Sequence, residues 1–149
     1  MAANIVRCVN CGRKNRIRSQ REGIPRCSVC QHPLPWIVDA APEDFDEEIV
    51  ASVPVLVDFW AAWCGPCRMV TPAVERIARD YAGRIKVLKL DVDSAEEIAA
   101  RYQIQGIPLL VLHRDGEEVD RRAGAQPERA LREWLEPTLP PPRPATPVG

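Results

Sequence analysis

Six cysteines in three Cys-x2-Cys pairs constrain this chain more than any other feature of its 149 residues: Cys8/Cys11 in CVNC, Cys27/Cys30 in CSVC and Cys64/Cys67 in CGPC. Fifteen residues separate the first two pairs, a spacing typical of a four-cysteine zinc site. Residues 1–30 carry few apolar side chains (Ile5, Val6, Val9, Ile17, Ile24, Val29) and no helix or strand periodicity long enough to fold alone. A segment this small needs a staple. Each pair would form a knuckle presenting two thiolates to one ion, with Gly12 supplying conformational freedom just after the first. Tetrahedral Zn²⁺ held by Cys8, Cys11, Cys27 and Cys30 would then cross-link the segment. Four protein ligands leave no open coordination position, so such a site is structural, regulatory or a docking platform. The alternatives are two disulfides or four unliganded thiols. His32 reads as a linker histidine.

Charge divides the chain in the same place. Residues 1–30 hold seven Lys and Arg against Glu22 alone, a net +6, while the whole chain sums to −1, which leaves −7 for the remainder. A basic head on an acidic body points to two units. The near-neutral total argues against wholesale binding to nucleic acid or membrane. No stretch is long and apolar enough to span a bilayer, and MAANIVRCVN lacks the pattern of a secretory signal. These features give a cytoplasmic expectation, and in that compartment closely spaced cysteines serve metals or redox chemistry more often than structural disulfides.

After residue 34 the pattern alternates. Trp36–Asp39 reads as a short strand at the end of a proline-rich linker. Asp44 and Glu47 read as a capping box for a first helix of about two turns. PVLVDFWA (54–61) is an apolar run of strand length, buried on both faces. Residues 66–82 place Val70, Val74, Ile77 and Tyr81 at helical spacing, with Gly83 at the C-terminal cap. IKVLKLD (85–91) alternates as a strand, and Ser94 is positioned to cap a short helix. IPLLVLHR and EVDRRA form a hairpin about Asp115-Gly116, and PERALREWL (127–135) a final amphipathic helix. The order β-α-β-α-β-α-β-β-α predicts an α/β sheet covered by helices on both faces and closed by an antiparallel hairpin. The expected organisation is a zinc-binding module at 1–34, a linker and first strand at 35–42, an α/β domain at 43–137 and a disordered proline-rich tail at 138–149.

The central pair has no second pair with which to share a metal. Cys64-Gly65-Pro66-Cys67 falls where a buried strand meets a helix, the context of a redox dithiol. Unpaired N–H groups at a helix N-terminus stabilise a thiolate there, making Cys64 the exposed nucleophile. Cys67, one turn on and more buried, can resolve a mixed disulfide. Asp58, a carboxylate within an apolar strand, should have a raised pKa and can exchange a proton with Cys67.

VDFWAAWCGPC, with the later GIP and the Asp-Gly hairpin, resembles thioredoxin over roughly residues 36–136. With the four-cysteine segment in front, the chain is similar to the zinc-containing branch of bacterial thioredoxins. The resemblance implies a thioredoxin fold, a central mixed sheet flanked by helices, behind a small zinc-ribbon-like module. It implies that Cys64 attacks and Cys67 resolves, that Asp58 is the buried acid, and that Lys89 approaches it. Trp63 would be a docking rim and Trp60 packing, with Gly65 and Pro66 beside them. Pro108 matches a cis-proline that leaves the Ile107 backbone free to pair with an extended substrate, and Gly124 lines the same groove. Leu109 stands where the family usually has Thr, and Ala62 where an acid or Pro is common, which bears on substrate preference.

The resemblance further implies a monomeric protein-disulfide reductase that receives electrons from NADPH through thioredoxin reductase and uses no organic cofactor. Gly-Pro between the cysteines resembles reducing members, since oxidases and isomerases usually carry His at the position of Pro66. An oxidase or isomerase of the same fold is the first alternative. A zinc-ribbon adaptor with a redox-sensing dithiol is the second, although the head lacks the interleaved aromatics that stack nucleic-acid bases.

Overall fold

Two short strands open the chain in a computed structural model that describes residues 4–17 and 23–142. β1 (Asn4–Arg7) and β2 (Lys14–Ile17) pair antiparallel, with Arg7 opposite Lys14, and the Cys8–Cys11 knuckle sits at their turn. The second knuckle repeats the first. The Cys8 N–H donates to the Arg13 carbonyl and the Gly12 N–H to the Cys8 carbonyl; the Cys27 N–H donates to the His32 carbonyl and the Gln31 N–H to the Cys27 carbonyl. The fourth residue after the leading cysteine is left-handed in both, Gly12 at φ 79° and Gln31 at φ 64°. Of the seven basic residues and one acid expected to charge this head, Arg18, Arg21 and Glu22 lie outside the described residues.

The main sheet has five strands: β3 (Ile37–Asp39), β4 (Val55–Trp60), β5 (Lys86–Asp91), β6 (Leu109–Arg114) and β7 (Glu117–Ala123). Their order is β3-β5-β4-β6-β7; β3 and β4 run parallel to β5, and β6 and β7 are antiparallel. The helices are α1 (Phe45–Glu48), entered through a 3-10 turn at Pro42–Asp44, then α2 (Cys67–Asp80), α3 (Glu96–Arg101) and α4 (Glu128–Leu135). Asp115 (φ 53°) and Gly116 (φ 80°) are both left-handed, which suits the two-residue turn between twisted strands β6 and β7. The mixed sheet flanked by helices is the expected α/β thioredoxin fold.

β4 is central, so its side chains divide by period two between two cores. Val55, Val57 and Phe59 face one side with Phe45, Leu88, Ile98 and Val111. Leu56 faces the other with Val70, Val74, Ile77 of α2 and Leu131, Leu135 of α4. Cys8, Ile17, Cys27 and Leu34 belong to the first core, so the cysteine-bearing segment packs into the same apolar mass as Trp36 and Phe45. It meets the sheet at the end away from the dithiol: the Ser52 hydroxyl, just before β4, donates to the Gly23 carbonyl at 2.7 Å, and Pro33 and Ile24 close over Gly83.

Several local expectations are corrected. The stretch read as a linker is packed, with Pro33, Leu34, Pro35 and Trp36 all buried, because prolines there are apolar surface that needs no amide partner. Neither Asp44 nor Ser94 caps a helix through its side chain; α1 is one turn long, α3 begins after Ala95, and Asp91 accepts instead from the Asp93 N–H. The first thirty residues do contain strands, pinned by the knuckle rather than by periodicity. Lys86, on the expected polar face of β5, is fully buried: its ammonium reaches the Glu48 carboxylate at 2.9 Å and carbonyl at 2.8 Å and lies 4.8 Å from the Trp36 ring centre. The proline-rich tail does not start at 138, since a 3-10 turn covers Glu136–Thr138, Leu139 is buried in the second core and the Pro140 carbonyl accepts from Arg84. Residues 143–149 of that tail lie outside the described residues.

Candidate active site and metal centre

Strand β4 delivers the chain to its C-terminal edge at Trp60, and a short turn leads into α2. The turn closes when the Cys64 N–H donates to the Ala61 carbonyl. Cys64 and Cys67 are joined as a disulfide with Cα atoms 5.4 Å apart. The Cys67 N–H, at the first turn of α2, points at Cys64 Sγ at 3.2 Å. A sulfur there meets the positive end of the helix and an amide with no intrahelical partner, which favours the thiolate once the disulfide opens. Cys64 is not the exposed atom expected from sequence: both sulfurs' residues are 3% exposed in the oxidised form, while Gly65, Pro66 and Trp63 stand out around them. Trp63 is 68% exposed, yet its indole N–H is tied to Asp93 Oδ2 at 3.0 Å, so the ring is held while its face stays open. Trp60 packs against the dithiol.

Asp58 lies fully buried in the middle of β4, opposite Lys89 on β5 and Leu110 on β6. The Thr71 hydroxyl donates to its Oδ2 at 3.0 Å, and Oδ1 has no hydrogen-bond partner among the described residues. Burial pushes the carboxyl up to about 6; the Thr71 hydrogen bond and the Lys89 charge pull it down, and Glu75 pushes it up. Lys89 is beside the acid in register, but its ammonium lies nearest to Glu75 at 3.5 Å and Asp39 at 3.9 Å. Thr71 is not among the site residues that the sequence motifs mark. The signal was present: it stands four residues after Cys67, hence on the same helix face.

The Ile107–Pro108 peptide is cis, as the resemblance implied. Gly106 and Ile107 line a shallow cleft with Trp63, Val92 and Glu96. A second cleft runs past Pro108 and Gly124, whose N–H donates to the Pro108 carbonyl at 2.9 Å. Gly124 is needed for its backbone, at φ 83°, rather than for clearance, since a Cβ there would meet open space. Leu109, in the place of the usual Thr, is buried.

The four remaining cysteines converge. Their sulfurs lie within 4.8 Å of one another, with Cys8–Cys30 and Cys11–Cys27 each at 3.6 Å. A tetrahedral ion with metal–sulfur bonds of about 2.3 Å needs S···S edges near 3.8 Å, so these residues fit a metal ion. Backbone N–H groups of Asn10 and Cys11 point at Cys8 Sγ, and those of Val29 and the Asn15 side chain at Cys27 Sγ, at 3.4–3.5 Å. The Cys30 N–H, with those of Val29 and Asn15, draws the Cys27 thiol down to about 6, and Asn10 and the His32 N–H lower Cys30. Such donors favour the thiolates a metal requires. His32 is not among the converging ligands.

A Cys-x2-Cys pair joined as a disulfide at a helix N-terminus, beside the central strand of a mixed sheet, defines a thiol–disulfide oxidoreductase. The thioredoxin family model matches residues 36–137. The chain is 48% identical to a thioredoxin of Staphylococcus epidermidis over 100 residues, covering 67% of this chain and 95% of that protein. It is 46% identical to a thioredoxin of Staphylococcus aureus over the same span. The chain belongs to the thioredoxin family, and its clustered cysteines stand in front of the matched region, consistent with the zinc-bearing branch.

Proposed function

We propose that the chain is a reductase of protein disulfides, with residues 43–137 as its thioredoxin domain. The observation that carries this reading is the Cys64–Cys67 disulfide with the Cys67 N–H on Cys64 Sγ and the half-satisfied Asp58 behind it. In the reduced protein the Cys64 thiolate attacks one sulfur of a substrate disulfide; the other substrate sulfur leaves as a thiolate and takes a proton from water. Cys67 Sγ–H passes its proton to Asp58, and the Cys67 thiolate attacks Cys64 Sγ. The second substrate thiolate departs, two electrons have moved to the substrate, and the Cys64–Cys67 disulfide remains. Lys89 supports the ionised Asp58 electrostatically. Trp63, Gly65, Pro66, Ile107, Pro108 and Gly124 form the surface on which an extended peptide lies. Electrons return from thioredoxin reductase in the cytoplasm, where the chain acts as a monomer.

Cys8, Cys11, Cys27 and Cys30 hold one Zn²⁺ in a module spanning residues 1–34. When bound, the ion cross-links the two knuckles and takes no part in the exchange. Insulin reduction driven by dithiothreitol tests the catalytic reading: Cys64→Ser should abolish the stimulated rate, and equal rates in both proteins would end it. A reduction potential near the roughly −270 mV of thioredoxins, rather than the −180 mV of protein disulfide isomerase, separates reductase from isomerase. One zinc per chain, released by a thiol-specific mercurial, tests the module.

A further inference from the structure

We propose that Thr71 is a positioning residue for the redox step, its hydroxyl binding Asp58 Oδ2 so that Oδ1 is the oxygen left to take the Cys67 proton. The inference rests on the reading of Asp58 as the base.

Three placements carry it. Period two along β4 turns Asp58, like Leu56, toward the α2 side of the sheet. Helical spacing puts Thr71 one turn after Cys67 on the same face of α2. One helix face therefore supplies both the proton donor and the group that fixes the acceptor. The hydrogen bond is observed at 3.0 Å to Oδ2, and Oδ1 is buried with no partner among the described residues. A carboxylate oxygen with no protein partner in the interior is costly, and with Oδ2 held by Thr71, Oδ1 is the oxygen open to a proton. Thr71 is half-buried and lines a cleft of about 290 Å³ with Trp60, Cys67 and Lys89, so it stands between the acid and solvent.

The groups acting on Asp58 are Thr71 and Glu75 from α2 and Lys89 from β5; Cys67 stands one turn before Thr71 on α2, and the β6 neighbour of Asp58 is Leu110. Lys89 is shared with Glu75 and Asp39, so among the described residues Thr71 makes the single direct contact that favours the ionised acid. Without that hydroxyl, Asp58 holds its proton to higher pH and is less available as a base.

The test is single-turnover resolution of a preformed mixed disulfide on Cys64, measured against pH, together with ¹³C-carboxyl titration of Asp58 in the oxidised chain. Thr71→Val keeps the shape and removes the donor. Its titration midpoint and the acid limb of its rate profile should both move up by about one pH unit. From a starting value of about 6, that is about a twofold loss of rate at pH 7 and about fivefold at pH 6. Thr71→Ser keeps the donor and should restore both. Thr71→Ala serves if Val packs badly. Unmoved midpoints in the hydroxyl-free variant that folds, or equal movement in the Ser variant, overturn the proposal. Asp58→Asn separates the two readings. If it retains the native rate profile, Asp58 is not the base and both fail; if it flattens the profile while Thr71→Val changes nothing, the role of Thr71 alone fails.

Discussion

Replacing Asp58 by Asn should make this protein more stable at neutral pH and nearly unchanged in acid. The carboxyl titrates at about 6 when folded, against 3.8 for the free side chain, because burial penalises its charge. The folded state thus binds the proton more tightly than the unfolded chain, and stability falls as pH rises through the window between about 4 and 6. A difference of 2.2 pH units at 1.36 kcal/mol each amounts to about 3 kcal/mol lost by pH 7. At pH 4 most of that loss has yet to occur. Asn is uncharged, can accept the Thr71 hydrogen bond through Oδ1, and escapes the penalty. The difference in unfolding free energy between the Asn variant and the native oxidised chain should grow by about 2–3 kcal/mol from pH 4 to pH 7, or about 4–12 °C in Tm. Guanidinium unfolding of the two oxidised proteins at both pH values measures it. An Asn variant less stable than native at pH 7, or an equal difference at both pH values, refutes the buried-charge account. The same substitution should slow disulfide exchange, so stability and activity move in opposite directions.

Gly83→Ala should destabilise by about 2–3 kcal/mol, since φ is 86° and the added Cβ would lie 2.8 Å from the Pro33 Cβ; thermal unfolding of the whole chain reads it. Glu48→Gln removes the carboxylate paired with the fully buried Lys86 ammonium, and should cost about 3 kcal/mol. Burial already lowers the Lys86 pKa, so the cost should be larger at pH 6 than at pH 9, where the lysine can shed its proton; denaturant melts at the two pH values check the sign. If the four-cysteine cluster holds the proposed Zn²⁺, removing it with a chelator should lower the Tm of the thioredoxin part as well as loosen the knuckles, because Ile17, Cys27 and Leu34 share a core with Trp36 and Phe45; calorimetry before and after chelation decides it.

Much of this was legible in the chain itself. The apolar run at 54–61 has the length and composition of a strand covered on both sides, and Pro66 suits the first turn of the helix that follows, so the dithiol's place follows from local rules. Three identical Cys-x2-Cys spacings do not rank themselves; the strand before and the helix after the central pair, and the lack of a second pair for it, set it apart from the outer two. Even the face on which Asp58 lies follows from counting by two from Leu56. What the sequence could not supply was the company each polar side chain keeps. Lys86 and Lys89 look alike in KVLKLD, yet one is sealed against Glu48 and Trp36 and the other stands half-open between Glu75 and Asp39. Pro33 and Pro35 have a loop's composition, yet both are buried, Pro33 against Gly83. Thr71 reads as an ordinary helix residue until β4 lays Asp58 against it. Periodicity is written along a chain because it depends on neighbours in sequence, whereas the partner of a buried charge comes from another element, and only the packing of the sheet against α1 and α2 decided which one.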